Sequence, residues 1–394
     1  MGKIYLDNAC TGIPPARVLA CAERLNALLT DPIISAGDVN RRLRSYMCDA
    51  RKAVASFIHC KEKEVALVES TSHALGMLAN AIDLQPEDNV LVCDLEYQAS
   101  TICWKRRQEK LGFEVREVPS HNGAITAEDF ERCMDEHTRV ILVAAVQEIN
   151  GFRANLAAIS QMAHRHNCLV IADSIQEVGA MAVDVKASGV DFYCAGGKKW
   201  LCNPYGMGFL YICEELLDTV LPEFYSYFNI VISEKYNHDY ITYLEDPARS
   251  PFDAYTIVRE ASSFETGGYS NYLGALGLTA AVGVLQDLGT QTVETRIRTL
   301  VRRLLRGLET LGVTITSPTN EENLSSIVTF HCGLKNRAAR EKQIEQYMQQ
   351  KDIYISLRCS TGTGGLRVSM HYYNTEAEID ALLAGLSQAL QQIK

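Results

Sequence analysis

An aspartate, Asp173, closes the apolar run LVIAD, and 26 residues later the segment GGKKW presents two adjacent lysines, Lys198 and Lys199. A lysine amine can condense with an aldehyde, and a carboxylate can keep a pyridine nitrogen protonated so that the ring accepts electrons. Those are the two demands of pyridoxal phosphate chemistry, and each has a candidate here. A plainer reading, in which Asp173 caps a helix and the lysines are solvated, stays open on these residues alone. GGKKW is not a nucleotide-binding P-loop, because it lacks the distant first glycine and the Ser or Thr after the lysine.

Other chemistry-bearing residues fall directly after β-like runs. Ser70 to His73 follow VALVE (65–69), Tyr97 follows VLVCD (90–94), and Gln147 with Glu148 follows VILVAAV (140–146). Asp173 ends LVIAD (169–173), and Lys199 follows DFYCA (191–195). In an open parallel sheet the ligand sits beyond the carboxyl ends of the strands, where loops and helix N-termini converge. Five loops therefore point to one site.

The elements that must hold these residues read as an α/β chain. The five runs and MGFLYI (207–212) alternate with ALGMLANAI, AEDFERCMDE and LAAISQMAHRH, whose three- and four-residue apolar spacing predicts helices over a parallel sheet. From 213 to 265 the pattern loosens into an aromatic-rich stretch that reads as a long functional loop or an interface. Beyond it come two helical segments (272–289 and 292–312), strand-like SSIVTF, a helix near 337–350, strand-like IYISLR and LRVSMH, and a final helix. The expected division is a large domain over 16–265 and a small α+β domain from 1–15 and 266–394.

Composition narrows the partners. The 394 residues are 47% hydrophobic and 22% charged, which suits a folded chain, and a net charge of −10 is the wrong sign for nucleic acid. MGKIYLDNAC has no apolar stretch for a signal peptide, and Leu6 stands where a myristoylation motif wants Ser or Thr, so a cytoplasmic protein without a membrane partner is expected. The 13 cysteines include no Cys-x-x-Cys pair, which predicts neither a metal site nor a disulfide framework.

Several longer motifs carry a family resemblance: YLDNACTG, VQEINGFRANLAAI, IADSIQEVGA, GGKKWLCNPYGMGFLYI, FETGGYSNYLGALGL and LRVSMHYYNTEAEID. Together they span nearly the whole chain. The sequence resembles the class V aminotransferase branch of fold-type I pyridoxal phosphate enzymes, which includes cysteine desulfurases, isopenicillin N epimerase-like proteins and C–S lyases. The resemblance implies a large domain with a mostly parallel sheet covered by helices and a smaller α+β domain, binding pyridoxal 5'-phosphate. It also implies Lys199 as the Schiff-base residue and Cα proton shuttle, Asp173 on the pyridine nitrogen and Gln176 on the phenolic oxygen. Tyr97 takes the place where many relatives stack a His on the ring, and aromatic stacking serves the same purpose. Gln147 and Asn8 are expected to line the pocket, Asn8 toward substrate, with Arg41 or Arg42 reaching its distal end.

For the phosphate, Ser72 and the backbone amide of His73 at a helix start are the expected donors. Relatives place Ser-x-His before the lysine, where this chain has Gly196, Gly197 and Lys198, so Lys198 is the expected replacement charge. The Gly-Thr turn that crosses from a second subunit in relatives corresponds to Gly267 and Gly268, which keeps an amide but loses the hydroxyl; a homodimer with a shared site is still expected. Arg367 matches the arginine that clamps the substrate α-carboxylate, a task suited to a planar fork of donors.

The reaction is the finest point. Desulfurases need a nucleophilic cysteine on a loop before the carboxylate-binding arginine, whereas RCSTGTGGLR leaves a short glycine-rich turn with Cys359 near a strand end. The expectation is an amino-acid enzyme that forms an external aldimine, removes the Cα proton and eliminates at Cβ, a C–S lyase on a cysteine-derived substrate. Transamination is the alternative, then epimerisation or desulfuration, with a non-catalytic family member last.

Overall fold

Seven strands form the main sheet: β1 (Val65–Val68), β2 (Asn89–Cys93), β3 (Glu114–Val118), β4 (Thr138–Ala144), β5 (Leu169–Asp173), β6 (Phe192–Gly196) and β7 (Gly208–Ile212), in the order β1-β7-β6-β5-β4-β2-β3. The computed structural model describes all residues except 1, 32, 228, 232–233, 237–239, 251, 266–269, 334–336 and 394. Alternate side chains of one strand feed opposite cores. Ile141 and Val143 of β4 join one apolar cluster, and Val140 and Leu142 join the other. Each such fully buried side chain contributes about 1.5–3 kcal/mol, which explains why the central strands are apolar without interruption.

The sheet is mostly parallel, as expected, with one antiparallel strand and one further parallel strand that the apolar runs do not announce. β7 runs antiparallel to both neighbours, β1 and β6. Its connection from β6 is too short to hold a crossover helix, so the chain must fold back instead. β3, EVREV, adds an edge strand that the apolar pattern does not show, because its side chains are largely exposed and charged. The stretch 213–265 holds only short pieces, among them Ile230–Val231 paired with Thr256–Ile257.

A second, antiparallel sheet comprises β8 (Thr314–Ile315), β9 (Ile327–His331), β10 (Ser356–Ser360) and β11 (Thr363–Ser369), ordered β8-β9-β11-β10. The N-terminal segment joins this unit: Ile4 and Tyr5 pair with Ile353 and Tyr354, and Asp7 bridges to Ser369. It then crosses to the main sheet, where the Gly12 N–H donates to the Lys198 carbonyl at 2.9 Å. A Cβ at Gly12 would lie 2.0 Å from the Lys199 carbonyl oxygen, so only glycine permits this approach. The helix Tyr272–Leu288 packs on Ala36–Ile58 through Leu276, Ala280, Leu43 and Tyr46. Among the described residues no single helix is long and apolar enough to cross a membrane.

Candidate active site

A cavity of about 270 Å³ opens at the carboxyl ends of β1, β4, β5 and β6. Asp173 and Lys199 both line it. Asp173 is 5% exposed and accepts from the Ile175 N–H at 3.0 Å. Burial raises its carboxyl to about 6, against the pull of the Lys199 charge. The same burial lowers the Lys199 amine to about 8. The pair thus holds an acid and a base whose ordinary separation has been compressed by desolvation.

Gln176 is fixed at both ends. Its Nε2 donates to the Ala9 carbonyl at 3.1 Å, and its Oε1 accepts from Trp200 Nε1 at 2.9 Å. One Nε2 hydrogen stays available to the cavity. Gln147, fully buried, also lines the cavity; its Nε2 donates to Glu96 Oε1 at 2.8 Å, and its own Oε1 has no partner. Tyr97 lies at the rim, 55% exposed, as the residue before the helix Gln98–Leu111.

The helix Thr71–Ala81 starts at the cavity with Ser70 as its cap. The cap corrects one expectation: the His73 N–H donates to Ser70 Oγ at 3.1 Å and His73 does not line the cavity, so its amide is not a free donor. The amides of Thr71 and Ser72 come first in the helix, have no intrahelical partner and belong to residues that do line it. Thr71 Oγ1 accepts from Gly196 N–H at 2.8 Å, which ties the helix start to the end of β6. Lys198 also lines the cavity, its Nζ 4.8 Å from the centre of the Tyr205 ring. Gly268 lies outside the described residues.

A second hollow, about 370 Å³, adjoins the first and shares Glu96, Tyr97, Glu148, Lys198 and Lys199 with it. Arg367 lines it at 1% exposure, held from three sides. Nη2 donates to Asp7 Oδ1 at 3.1 Å, Nη1 to the Glu148 carbonyl at 3.0 Å, and Nε to Ser356 Oγ at 3.2 Å. Glu148 Oε2 stands 3.5 Å from Nη1. Cys10 and Cys359 also line this hollow. Cys359 is exposed, and partial desolvation raises its thiol above the ordinary value.

Asn8 requires a second correction. It lines neither hollow; its Nδ2 donates to the Ser369 carbonyl at 2.8 Å and to Asn374 Oδ1 at 3.2 Å, while its Oδ1 accepts from the Tyr373 hydroxyl. All its polar atoms are spent in tying the N-terminal segment to β11. Arg41 pairs with Asp38 on an exposed helix face, and neither Arg41 nor Arg42 lines the two hollows.

Sequence reasoning missed Glu96. It lies in the loop after β2, immediately before Tyr97, and its Oε1 accepts from the Ala144 N–H at 2.8 Å as well as from Gln147. The available signal was a carboxylate three residues past an apolar strand, next to a residue already singled out. Glu148 was visible as a residue following β4, but its hold on Arg367 was not.

A group carrying an aldehyde, a pyridine nitrogen and a phosphate fits this donor set. The cavity offers a buried amine, a buried carboxylate and two unpaired helix-start amides.

Comparison with known proteins agrees with that chemistry. Residues 4–382 match the class-V aminotransferase family. A cysteine desulfurase of Dickeya dadantii is 28% identical over 395 residues, covering 97% of this chain and 90% of its own. Among solved structures, the cystine C–S lyase C-DES in complex with its reaction product cysteine persulfide superposes with a TM-score of 0.85 at 21% identity, covering 98% of this chain and 97% of that one. A C-DES mutant with glycine covalently linked to the PLP cofactor gives a TM-score of 0.86 at 21% identity, covering 98% and 96%.

Proposed function

The chain belongs to the class-V aminotransferase family of pyridoxal 5'-phosphate enzymes, and from that premise we propose that it cleaves a C–S bond by β-elimination from a cysteine-derived amino acid. Bound pyridoxal phosphate supplies the electron sink that lets the Cα–H bond break. The chain's own residues do the rest. Lys199 would hold the cofactor covalently, and its free Nζ would take the Cα proton. Asp173 would keep the pyridine nitrogen protonated, Gln176 would donate to the phenolic oxygen, and Tyr97 would supply an aromatic face for stacking. The amides of Thr71 and Ser72 with Lys198 hold the phosphate. The assembly is a homodimer with a shared site. Arg367 takes the α-carboxylate.

The observation that carries this reading is that Lys199 lines both hollows, so one amine reaches the cofactor cavity and the space that Arg367 borders. Loss of the Cα proton and departure of the Cβ sulfur as a thiolate leave, after hydrolysis, pyruvate and ammonia. A second reading, desulfuration, is favoured by Cys359 in the same hollow as Lys199 and Arg367, and by similarity to a cysteine desulfurase. That reaction needs a thiolate to take up sulfur, and the raised Cys359 thiol weighs against it.

Product analysis separates the alternatives. Purified holoenzyme with cysteine, cystine and cysteine S-conjugates is expected to give pyruvate, ammonia and the released sulfur fragment, with the Cys359→Ser variant unaffected. Alanine that disappears in Cys359→Ser would establish desulfuration. A sulfur-bearing keto acid would establish transamination.

A further inference from the structure

Two residues that line the same cavity each carry a buried oxygen with no hydrogen-bond partner, Glu96 Oε2 and Gln147 Oε1. Both belong to side chains already joined by one hydrogen bond, Gln147 Nε2 to Glu96 Oε1 at 2.8 Å, and Glu96 Oε1 is further pinned by the Ala144 N–H at 2.8 Å. Two acceptors left without donors in a buried site are costly, and an ionised carboxylate more so. A carboxylic acid and a primary amide can instead pair at two points, N–H to C=O and O–H to O=C. One proton on Glu96 Oε2 would complete that pair and satisfy both orphaned atoms.

We propose that Glu96 is a positioning residue held as a carboxylic acid, which pairs at two points with the Gln147 amide and so presents the remaining Gln147 Nε2 hydrogen to the cofactor as a donor. The surroundings favour the neutral form. Burial lifts the Glu96 carboxyl to about 8 against the hydrogen bonds from Ala144 and Gln147, which pull it down, and the carboxylates of Asp173 and Asp94 push it further up. Glu148, Lys198, Lys199, Arg358 and Arg367 border the adjoining hollow. Neutral Glu96 leaves Asp173 as the anion for the pyridine nitrogen and adds no negative charge that would strengthen the Lys199 proton affinity. Were Glu96 ionised, both Gln147 Oε1 and a carboxylate oxygen would face the cofactor as acceptors.

The proposal rests on the cofactor and not on the reaction class, and neither test below depends on turnover. Glu96→Gln places an amide where the acid stood and preserves both contacts, so its affinity for pyridoxal phosphate, by equilibrium titration of the cofactor-free protein, should stay within about threefold of wild type. Glu96→Ala removes both and should weaken binding by about tenfold. An infrared difference spectrum, cofactor-free wild type minus Glu96→Gln at neutral pH, should contain the carbonyl band of a protonated carboxylic acid. A carboxylate band in its place, or loss of affinity in Glu96→Gln as large as in Glu96→Ala, overturns the proposal. The infrared arm stands even if the alanine variant fails to fold.

Discussion

The indole Nε1 of Trp200 donates to Gln176 Oε1 at 2.9 Å, and this bond decides which end of the Gln176 amide faces the cavity. With the oxygen held by Trp200 and one hydrogen of Nε2 held by Ala9, only a donor remains for a bound ring oxygen. Trp200 is fully buried next to Lys199 in the chain, so one residue both packs the loop and orients Gln176.

Trp200→Phe should therefore cost more than packing. It strands a buried amide oxygen, a loss of about 1–3 kcal/mol, and frees the Gln176 amide to turn. We expect weaker pyridoxal phosphate binding and a shifted cofactor absorbance. Thermal melts of both the cofactor-free and the loaded protein separate the stability loss from the binding loss.

The pH dependence follows from Asp173 and Lys199. Asp173 must be ionised to hold a protonated pyridine nitrogen, and Lys199 must be a free amine to attack an aldehyde. With these groups near 6 and 8, cofactor capture by the cofactor-free protein should rise with pH through two steps near those values. The steps belong to the coupled pair rather than to either residue alone. Stability moves oppositely for the acid: the folded state holds the Asp173 proton more tightly than the unfolded chain, so its contribution falls as pH rises from 3.8 to about 6. Asp173→Asn should remove both the lower step in capture and this fall, read by association kinetics and by melts across the same range.

Gly12→Ala tests the crossing of the N-terminal segment over the lysine loop. The added methyl would sit 2.0 Å from the Lys199 carbonyl, a backbone atom that cannot swing aside. A stability loss of about 1–3 kcal/mol is expected, together with slower covalent attachment of cofactor, because the strain falls on Lys199, the proposed attachment residue. Denaturant unfolding and cofactor incorporation rates measure the two parts.

On the role proposed for Arg367, Glu148 competes with substrate for it. Its Oε2 stands 3.5 Å from Nη1, where an incoming α-carboxylate needs the same donor. Glu148→Gln should lower KM several-fold, about 1 kcal/mol, with little change in cofactor affinity. Arg367→Lys should raise KM by about tenfold or more, since an ammonium cannot reproduce the fork. Steady-state kinetics on the substrate found by product analysis reads both.

Much of the fold was legible because buried parallel strands leave uninterrupted apolar runs: VILVAAV and LVIAD announce β4 and β5 directly. β3 was not, since EVREV lies at an edge where charge is favoured. Residues placed by a strand end, such as Asp173 and Gln147, were found at the cavity as their position suggested. Asn8 and the His73 amide were not, because their partners, Ser369, Asn374 and Ser70, are fixed by tertiary contacts or by a cap that only the folded backbone reveals. Glu96 escaped for a related reason: its significance lies in its bond to Gln147, 51 residues away.

The central claim is that Lys199 removes the Cα proton of a cysteine-type amino acid. Its most direct test is Cα exchange in heavy water, with cystine and cysteine S-conjugates offered to wild type and to Lys199→Ala and every species followed by mass spectrometry. Wild type is expected to release pyruvate bearing solvent deuterium, with deuterium at Cα in any recovered substrate, while Lys199→Ala falls by at least about 10²–10⁴-fold in both. Undiminished exchange in Lys199→Ala, or no exchange in wild type with any of these compounds, would contradict it.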